Sequence, residues 1–190
     1  MPHRRDPESA RSEIREAALA EFLQHGYDAS TLEGVAARVG LTRQAVLYHF
    51  RSKEALLRSL VDPAFEAIAA TLDVLEQERR PGGPTHDDQV AVLSRLVAVT
   101  YEHRGPVGLV GRFAHDHAGL GLGPLMRDNN VRLATLLAGD RFATDDATRI
   151  RTVACMAALA GVQTARVDVP LDTPAQKAVL VSALAGILRE

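Results

Sequence analysis

The chain has few of the residues that small proteins use for covalent cross-links or large aromatic cores. Its 190 residues include one cysteine, Cys155, no tryptophan and only 4% aromatic residues. A single cysteine excludes an intrachain disulfide framework and is typical of a protein in the reducing cytoplasm. Because Ala154 and Met156 beside it are apolar, we expect Cys155 to be a buried core residue rather than a redox sensor. The 46% hydrophobic content is therefore mostly aliphatic, which favours helices over sheets.

Long apolar runs and a strong net charge are also missing. The longest uncharged stretches, 152–165 and 178–188, are shorter than the roughly 20 residues that span a membrane. The N-terminus is charged and lacks the apolar stretch of a secretory signal, so we expect residues 1–10 to form a flexible arm. The formal net charge of −2 argues against a protein that coats nucleic acids without sequence preference. These features predict a soluble, cytoplasmic protein with no membrane contact and no cofactor.

Residues 31–54 carry the most informative local pattern. They predict two short helices joined by a tight turn at Gly40, where glycine can adopt left-handed backbone angles. Ser30 followed by Glu33 fits a capping box at the start of the first helix. Thr42 is the expected N-cap of the second helix, and Ser52 that of the helix after it. The first helix has apolar residues at the spacing of one buried stripe, namely Leu32, Val35, Ala36 and Val39.

The second of these helices has two chemically different sides. A helical wheel places Val46, Leu47 and Phe50 on one side, with Arg43 near them. The other side offers an amide, a methyl group, a phenol and an imidazole, from Gln44, Ala45, Tyr48 and His49. Such an uncharged polar face suits contacts with base edges and phosphates in the major groove. The alternative is an ordinary helical hairpin in a bundle, whose polar residues are simply hydrated.

The run from Arg11 to Leu57 resembles the TetR/AcrR family of bacterial one-component transcriptional regulators. One position departs from that pattern, because relatives commonly have two adjacent aromatic residues before the His-Phe pair and this chain has Leu47 and Tyr48. The matching residues are Ile14, Ala18, Phe22, Gly26, Tyr27, Ser30, Thr31, Val35, Ala36, Gly40, Leu41, Thr42, Tyr48, His49, Phe50, Lys53, Leu56 and Leu57.

The resemblance implies an all-α fold with a three-helix helix-turn-helix DNA-binding domain in residues 1–54. A helical ligand-binding and dimerisation domain would follow in residues 55–190. It also implies a repressor that binds a palindromic double-stranded DNA operator and is released by a small apolar or amphipathic effector. The residues expected at DNA are Thr31, Thr42, Arg43, Gln44, Ala45, Tyr48, His49 and Lys53, with Gln44, Tyr48 and Arg43 at bases and Thr31, Thr42, His49 and Lys53 at phosphates.

Beyond this region the spacing of apolar residues predicts further helices and an effector pocket among them. The loop PGGPT at 81–85 separates the first two of these helices. The predicted helices are 52–79, 87–102, 107–117, 122–137, 145–166 and 174–189. The resemblance places an effector pocket among them, and an apolar pocket needs a few polar groups. The candidate effector-binding residues are Tyr101, Arg112, Phe113, His117, Met126, Asn130 and Gln163.

The final two predicted helices have more apolar surface than a single chain needs to bury. The last helix is apolar nearly all round, and the helix before it has a side of small residues. A two-fold, four-helix interface between two copies accounts for both, and the resemblance implies the same homodimer. A wholly intrachain bundle is the alternative. The residues expected at the dimer interface are Val153, Ala157, Gly161, Leu180, Leu184 and Ile187.

Two other functions compete with a regulator. A helical metal-dependent enzyme would use the histidines at 103, 115 and 117, but residues two apart on a helix point about 200° away from each other, so His115 and His117 would not converge on one metal. A helix-turn-helix recombinase or sigma-like factor would need catalytic or polymerase-binding segments for which the chain has no room. No Ser-His-Asp or paired-carboxylate pattern is evident, so we expect neither a catalytic residue nor a metal site.

Overall fold

The computed structural model describes residues 7–113, 122–164 and 170–189, and within these ranges the chain is helical with no strand. This confirms the predicted all-α fold. The chain divides after Pro63 into an N-terminal unit and a C-terminal unit, Ala64–Glu190. The helices are α1 (Pro7–His25), α2 (Leu32–Val39), α3 (Arg43–His49), α4 (Lys53–Gln77), α5 (His86–Glu102), α6 (Arg104–Phe113), α7 (Leu122–Ala138), α8 (Arg141–Thr144), α9 (Asp146–Thr164) and α10 (Pro174–Ile187).

The N-terminal unit is built around aliphatic and aromatic side chains from successive helices. Ile14 and Phe22 of α1, Val35 of α2 and Val46 of α3 are all fully buried. The turn between α2 and α3 has the predicted form, because Gly40 adopts φ +65° and ends α2. The N–H groups of Leu41 and Gly40 donate to carbonyls of the preceding helix, as in a Schellman motif. This closure lets a second helix begin within three residues.

The first part of α4 belongs to the N-terminal unit. Its buried residues Leu56, Leu57 and Val61 precede Pro63, at which the two units divide. The division therefore lies inside α4, whereas the sequence predicted a domain boundary after residue 54. A boundary at the start of α4 would have separated these buried side chains from the unit that contains them.

The C-terminal unit has its own continuous core. The buried side chains come from α4, α5, α7, α9 and α10, with Leu72, Leu93, Leu137, Cys155 and Leu184 among the most enclosed. Two of these helices begin with full capping boxes, formed by Thr85 with Asp88 in α5 and by Thr173 with Gln176 in α10. Hydrogen bonds from Thr85 to the Asp88 carboxylate lower the pKa of Asp88.

Most helices start or end within a few residues of the predicted positions, and α1 begins at Pro7, inside the stretch 1–10 that was predicted to be a flexible arm. Two differences are larger. The chain enters α6 at Arg104, before the predicted start at residue 107, and the short helix α8 was not predicted. Four residues give too little periodicity for a pattern to reveal α8. The predicted helix 107–117 corresponds to α6, and its predicted end lies outside the described residues. The same holds for residues 165 and 166 of the predicted helix 145–166, which corresponds to α9. None of the described helices is both long enough and apolar enough to cross a membrane.

We expect the thiol of Cys155 to be unreactive in the folded protein. Its side chain is buried, and this burial raises the pKa of Cys155 from 9.0 to about 11. At pH 8 the thiolate fraction should therefore be about 100-fold lower than in the unfolded chain, and iodoacetamide alkylation should be slower by at least that factor. Mass spectrometry of native and guanidinium-unfolded samples measures both rates. Equal rates in the two states would contradict the buried, unreactive thiol.

Candidate nucleic-acid interface and effector cavity

Helix α3 is held in place from its buried side. The Thr42 hydroxyl caps its N-terminus by accepting a hydrogen bond from the Ala45 N–H at 3.2 Å, as predicted. Val46 is fully buried, and Phe50, the C-cap residue, is almost so. Two apolar contacts one turn apart fix both the position and the rotation of a seven-residue helix, which would not be stable alone.

The opposite side of α3 is open to solvent. Tyr48 is 84% exposed, which is unusual for a large aromatic side chain, and Gln44 is also exposed. Ala45 and His49 are half-buried between them. The Arg43 guanidinium pairs with the Glu33 carboxylate at 2.8 Å, but both side chains are more than half exposed. An exposed pair of this kind contributes less than about 1 kcal/mol, so Arg43 can exchange Glu33 for another anion at little cost.

Arg11 anchors the C-terminal end of α3. Its Nη1 donates a hydrogen bond to the His49 carbonyl at 2.8 Å, and its guanidinium lies 4.6 Å from the centroid of the Phe50 ring. A cation at a helix C-terminus satisfies an otherwise unpaired carbonyl and interacts favourably with the helix dipole. No local sequence pattern indicates this role, because it pairs residues 38 positions apart.

Lys53 bonds to the protein itself. Its ammonium donates hydrogen bonds to the carbonyls of Tyr27, Asp28 and Ser30 at 2.8, 3.2 and 3.0 Å, and it lies 4.4 Å from the Tyr27 ring centroid. These acceptors match the three N–H groups of an ammonium, so none is left for a phosphate in this arrangement. The structure thus places Lys53 in the N-terminal fold, where it ties the turn after α1 to the start of α4.

The N-cap of α2 is Thr31, which corrects the predicted capping box of Ser30 with Glu33. The Thr31 hydroxyl accepts from the Gly34 N–H at 3.0 Å. Ser30 is buried and donates instead to the carbonyls of Gly26 and Glu21. Two adjacent hydroxyl residues both fit the capping position in the sequence, and the burial of Ser30 decides between them. The predicted cap of α4 is confirmed, because the Ser52 hydroxyl accepts from the Ala55 N–H at 3.0 Å.

A buried carboxylate joins α1 to α2. Glu21 accepts a hydrogen bond from Arg38 Nε at 2.7 Å and lies 3.2 Å from His25 Nδ1. Gly34 leaves the space for this carboxylate, since a Cβ at that position would come within 2.5 Å of Glu21 Oε1. Arg38, like Lys53, is thereby used to hold the helices together.

The C-terminal unit contains a cavity of about 140 Å³. Its wall is formed by residues of α4, α5, α6, α7 and α9, and none of the described residues in it carries a charge. Phe65, Leu72, Leu96, Leu133 and Leu159 are among its apolar members. Thr100, Asn129, Asn130 and Gln163 supply its polar groups. An apolar wall with few polar groups is typical of a small-molecule site.

Three of the predicted effector-binding residues meet at this cavity, namely Met126, Asn130 and Gln163. Gln163 Nε2 donates to the Thr100 hydroxyl at 2.9 Å, which joins α9 to α5. Tyr101 is not among the lining residues, and its hydroxyl donates to the Asp172 carboxylate. Arg112 is exposed. The side chain of Phe113 and the whole of His117 lie outside the described part of the chain.

Asn129 is a polar cavity residue that is absent from the predicted effector-binding set. It is only 7% exposed, and neither its Nδ2 nor its Oδ1 has a hydrogen-bond partner among the described residues. The sequence did contain a signal, because Leu122, Met126, Leu133 and Leu136 fall on the same helical stripe as position 129. A polar residue at a position of an apolar stripe is expected to be buried. Asn130 lies next to Asn129 but off this stripe, and it is exposed.

The residues predicted at a dimer interface fall into two groups. Val153, Ala157 and Gly161 are exposed along one side of α9. Leu184 of α10 is 2% exposed and belongs to the core of its own chain, so it has almost no surface left for a second copy. Leu180 and Ile187 are half-buried against the same core. The exposed stripe of α10 consists of other uncharged residues, namely Ala175, Ala178, Val179, Ser182, Ala183 and Gly186.

The described residues contain no group of three or more potential metal ligands among His, Cys, Asp and Glu. His103 is the C-cap residue of α5. His115 and His117, which completed the alternative metal site, lie outside the described residues.

Comparison with known proteins gives these features a family context. Residues 14–60 match the family model for bacterial regulatory proteins of the tetR family. A probable acrEF/envCD operon repressor from Escherichia coli (strain K12) is 33% identical over 89 residues, which are 46% of this chain and 37% of that protein. The HTH-type transcriptional repressor Rv1474c from Mycobacterium tuberculosis is 35% identical over 60 residues, or 32% of each chain. The matches therefore span about a third of the length of the curated relatives.

Solved structures resemble the chain over nearly its whole length. SCO3833, a TetR-family member from Streptomyces coelicolor, has a TM-score of 0.73 at 23% identity and covers 93% of this chain and 91% of its own. A TetR-family regulator from Bordetella parapertussis also has a TM-score of 0.73, at 16% identity, covering 96% of this chain and 95% of its own. At these identities the likeness establishes the fold.

We expect Lys53→Met to lower the free energy of unfolding by ~1–3 kcal/mol, because three carbonyls lose their shared donor. Urea unfolding followed by circular dichroism measures this loss. Arg51→Met removes a neighbouring exposed cation and serves as the control, with an expected change within ~0.5 kcal/mol. If Lys53→Met leaves stability unchanged but lowers the salt dependence of DNA binding by about one ion, Lys53 is a phosphate contact after all.

Proposed function

We propose that this chain, whose N-terminal region belongs to the TetR family of bacterial regulatory proteins, is a transcriptional regulator that binds double-stranded DNA through α3. The observation that carries this proposal is Tyr48, 84% exposed beside exposed Gln44 on a helix whose other side is buried. A phenol and an amide held outward on a rigid short helix fit hydrogen bonding at the edges of bases in the major groove.

The outward face divides into contacts that specify and contacts that position. Gln44 and Tyr48, with Arg43 after release from Glu33, are proposed at base edges, and the Ala45 methyl group suits a thymine methyl group. Thr31, Thr42 and His49 are proposed at phosphates, together with the N–H groups at the helix starts. We leave Lys53 out of this set because its donors bond to backbone carbonyls.

The regulator is proposed to act as a homodimer through α9 and α10. The two helices pack against each other through buried residues such as Cys155 and Leu184, while both also carry exposed, uncharged stripes. Ile150, Val153 and Val179 are large hydrophobic residues on these stripes, and each is more than half exposed. A two-fold axis through this surface would give the dimer two copies of α3. A palindromic operator requires two such helices, because its half-sites lie about 34–36 Å apart.

Effector binding is proposed in the cavity of the C-terminal unit, with release of the operator as its consequence. Helix α7 lines the cavity with Met126 and Asn129, and it also carries Arg132, which pairs with Asp73 and Glu76 of α4. The hydrogen bond from Arg132 lowers the pKa of Glu76. Because α4 continues into the N-terminal unit, a ligand that shifts α7 has a connected path to it.

A repressor is the form of regulation that we propose, since the curated relatives matched at the N-terminal region are described as repressors. The same matches favour a regulator over the alternative of a metal-dependent enzyme that uses the histidines at 103, 115 and 117. Selection from a pool of random duplexes tests the function as a whole. Enrichment of an inverted repeat supports the proposal, and recovery of no preferred sequence at low salt contradicts it.

We expect Gln44→Ala to cost ~1–3 kcal/mol on the selected operator and to relax base preference at one position of each half-site. Binding to random duplexes of the same length should change little, because the lost amide reads a base rather than a phosphate. Titrations of both duplexes at one fixed salt concentration measure the difference. An equal loss on operator and random DNA would assign Gln44 to the phosphate backbone instead.

We expect the double change Val153→Glu and Val179→Glu to yield monomers, because it buries like charges at the two-fold surface. Sedimentation velocity measures the mass, and affinity for the palindromic duplex should fall ~100-fold or more as the second half-site is lost. The matched control is Val131→Glu on α7, where the side chain is 63% exposed outside the proposed interface. If the double variant remains dimeric, the interface lies elsewhere.

A further inference from the structure

We propose that the cavity of the C-terminal unit selects an uncharged effector that both donates and accepts a hydrogen bond at Asn129, as a carboxamide does. This inference rests on the proposed effector role of the cavity and narrows it to a chemical class. The observation behind it is the buried side chain of Asn129 in the cavity wall. Neither its donor nor its acceptor has a partner in the described part of the chain.

The side chain of Asn129 is costly for the protein without a ligand. It is 7% exposed, and its Nδ2 and Oδ1 are shielded from solvent with no hydrogen-bond partner in the described structure. Buried polar groups are nearly always paired, so an exception calls for a reason outside the fold. Leucine has a similar shape and would remove the desolvation cost, as Leu133 does one turn further along the same wall.

The other polar groups of the wall do not compete for this role. Gln163 Nε2 donates to the Thr100 hydroxyl, which itself donates to the Leu96 carbonyl at 2.6 Å. Asn130 is exposed, so water can satisfy its amide. Asn129 is therefore the group at which a bound molecule gains most from hydrogen bonding.

The described part of the wall offers no counter-ion to a charged ligand. None of the described lining residues is Asp, Glu, Lys, Arg or His, so a buried carboxylate or ammonium would have no counter-ion there. Burying an unpaired charge is far more costly than burying a neutral polar group. The Asn129 amide presents a donor and an acceptor side by side, and a second carboxamide complements both at once. An anion can only accept, and a cation can only donate.

The volume limits the size of the ligand. About 140 Å³ is close to the roughly 150 Å³ of an apolar cavity that holds one benzene molecule. The proposed ligand is thus a compact molecule with one ring or a short branched chain as its apolar body.

A panel of five molecules with one shared phenyl skeleton tests the selection. Benzamide donates and accepts, acetophenone only accepts, benzoate is an anion, benzamidinium is a cation, and cumene is apolar. Isothermal titration calorimetry with the full-length protein measures each affinity. We expect benzamide to bind on the order of tenfold or more tightly than each of the other four. Equal binding of benzamide and cumene, or no binding of benzamide, overturns the inference, because a bound molecule then gains nothing from the Asn129 amide.

Two variants assign the preference to Asn129. Asn129→Leu should bind cumene at least as well as the wild type does and lose the roughly tenfold preference for benzamide. Asn129→Asp removes the donor and should shift the preference towards benzamidinium, so it tests the assignment even if the leucine variant fails to fold. Asp128→Leu alters the exposed neighbouring residue on α7, which is not a wall residue, and should keep the wild-type order. A wild-type order in both Asn129 variants overturns the assignment.

The same protein separates this inference from the proposed function. Operator titrations with and without benzamide measure DNA binding independently of calorimetry. A dimer that binds its operator but shows no benzamide preference overturns the inference and leaves the regulator intact. Preferential benzamide binding that depends on Asn129, in a protein that binds no DNA, supports the inference about the cavity and overturns the regulator.

Discussion

The burial of one side of α3 is the constraint on which the proposed DNA contacts depend. Val46 and Phe50 fix the helix, and Arg11 holds the carbonyl of His49 at its C-terminal end. Because successive residues on a helix differ by about 100°, fixing two of them decides the direction of all the others. Gln44 and Tyr48 point outward for this reason. A change to the buried side would therefore also alter the direction of the exposed side chains.

Several cations of the N-terminal unit serve the fold before they can serve DNA. Arg11 bonds to α3, Arg38 to Glu21 and Lys53 to three carbonyls before α2. Their charge still adds to the local potential, but each of them already bonds to the protein. This agrees with a chain of formal net charge −2, for which non-specific attraction is weak. Under the proposed function, affinity comes from positioned contacts that a second copy repeats.

The C-terminal unit shows how a core can be stable and still incomplete. Most of its side chains are aliphatic and close-packed, yet it keeps a cavity and an unpaired amide at Asn129. Both features lower the stability of the folded chain. A molecule that fills the cavity and hydrogen-bonds to the Asn129 amide would recover this loss. A ligand that restores packing favours whichever arrangement of α7 fits it best. The Arg132 pair then connects that arrangement to α4.

The sequence by itself determined most of the helical elements and the exposed pair Gln44 and Tyr48, because periodicity, caps and Gly40 are local signals that act within a few residues. The tertiary structure decided which groups satisfy which partners. It placed Lys53 on carbonyls, made Thr31 rather than Ser30 the cap, enclosed Leu184 in its own chain and left Asn129 unpaired. These outcomes depend on contacts between residues far apart in the chain, and no local pattern encodes such contacts.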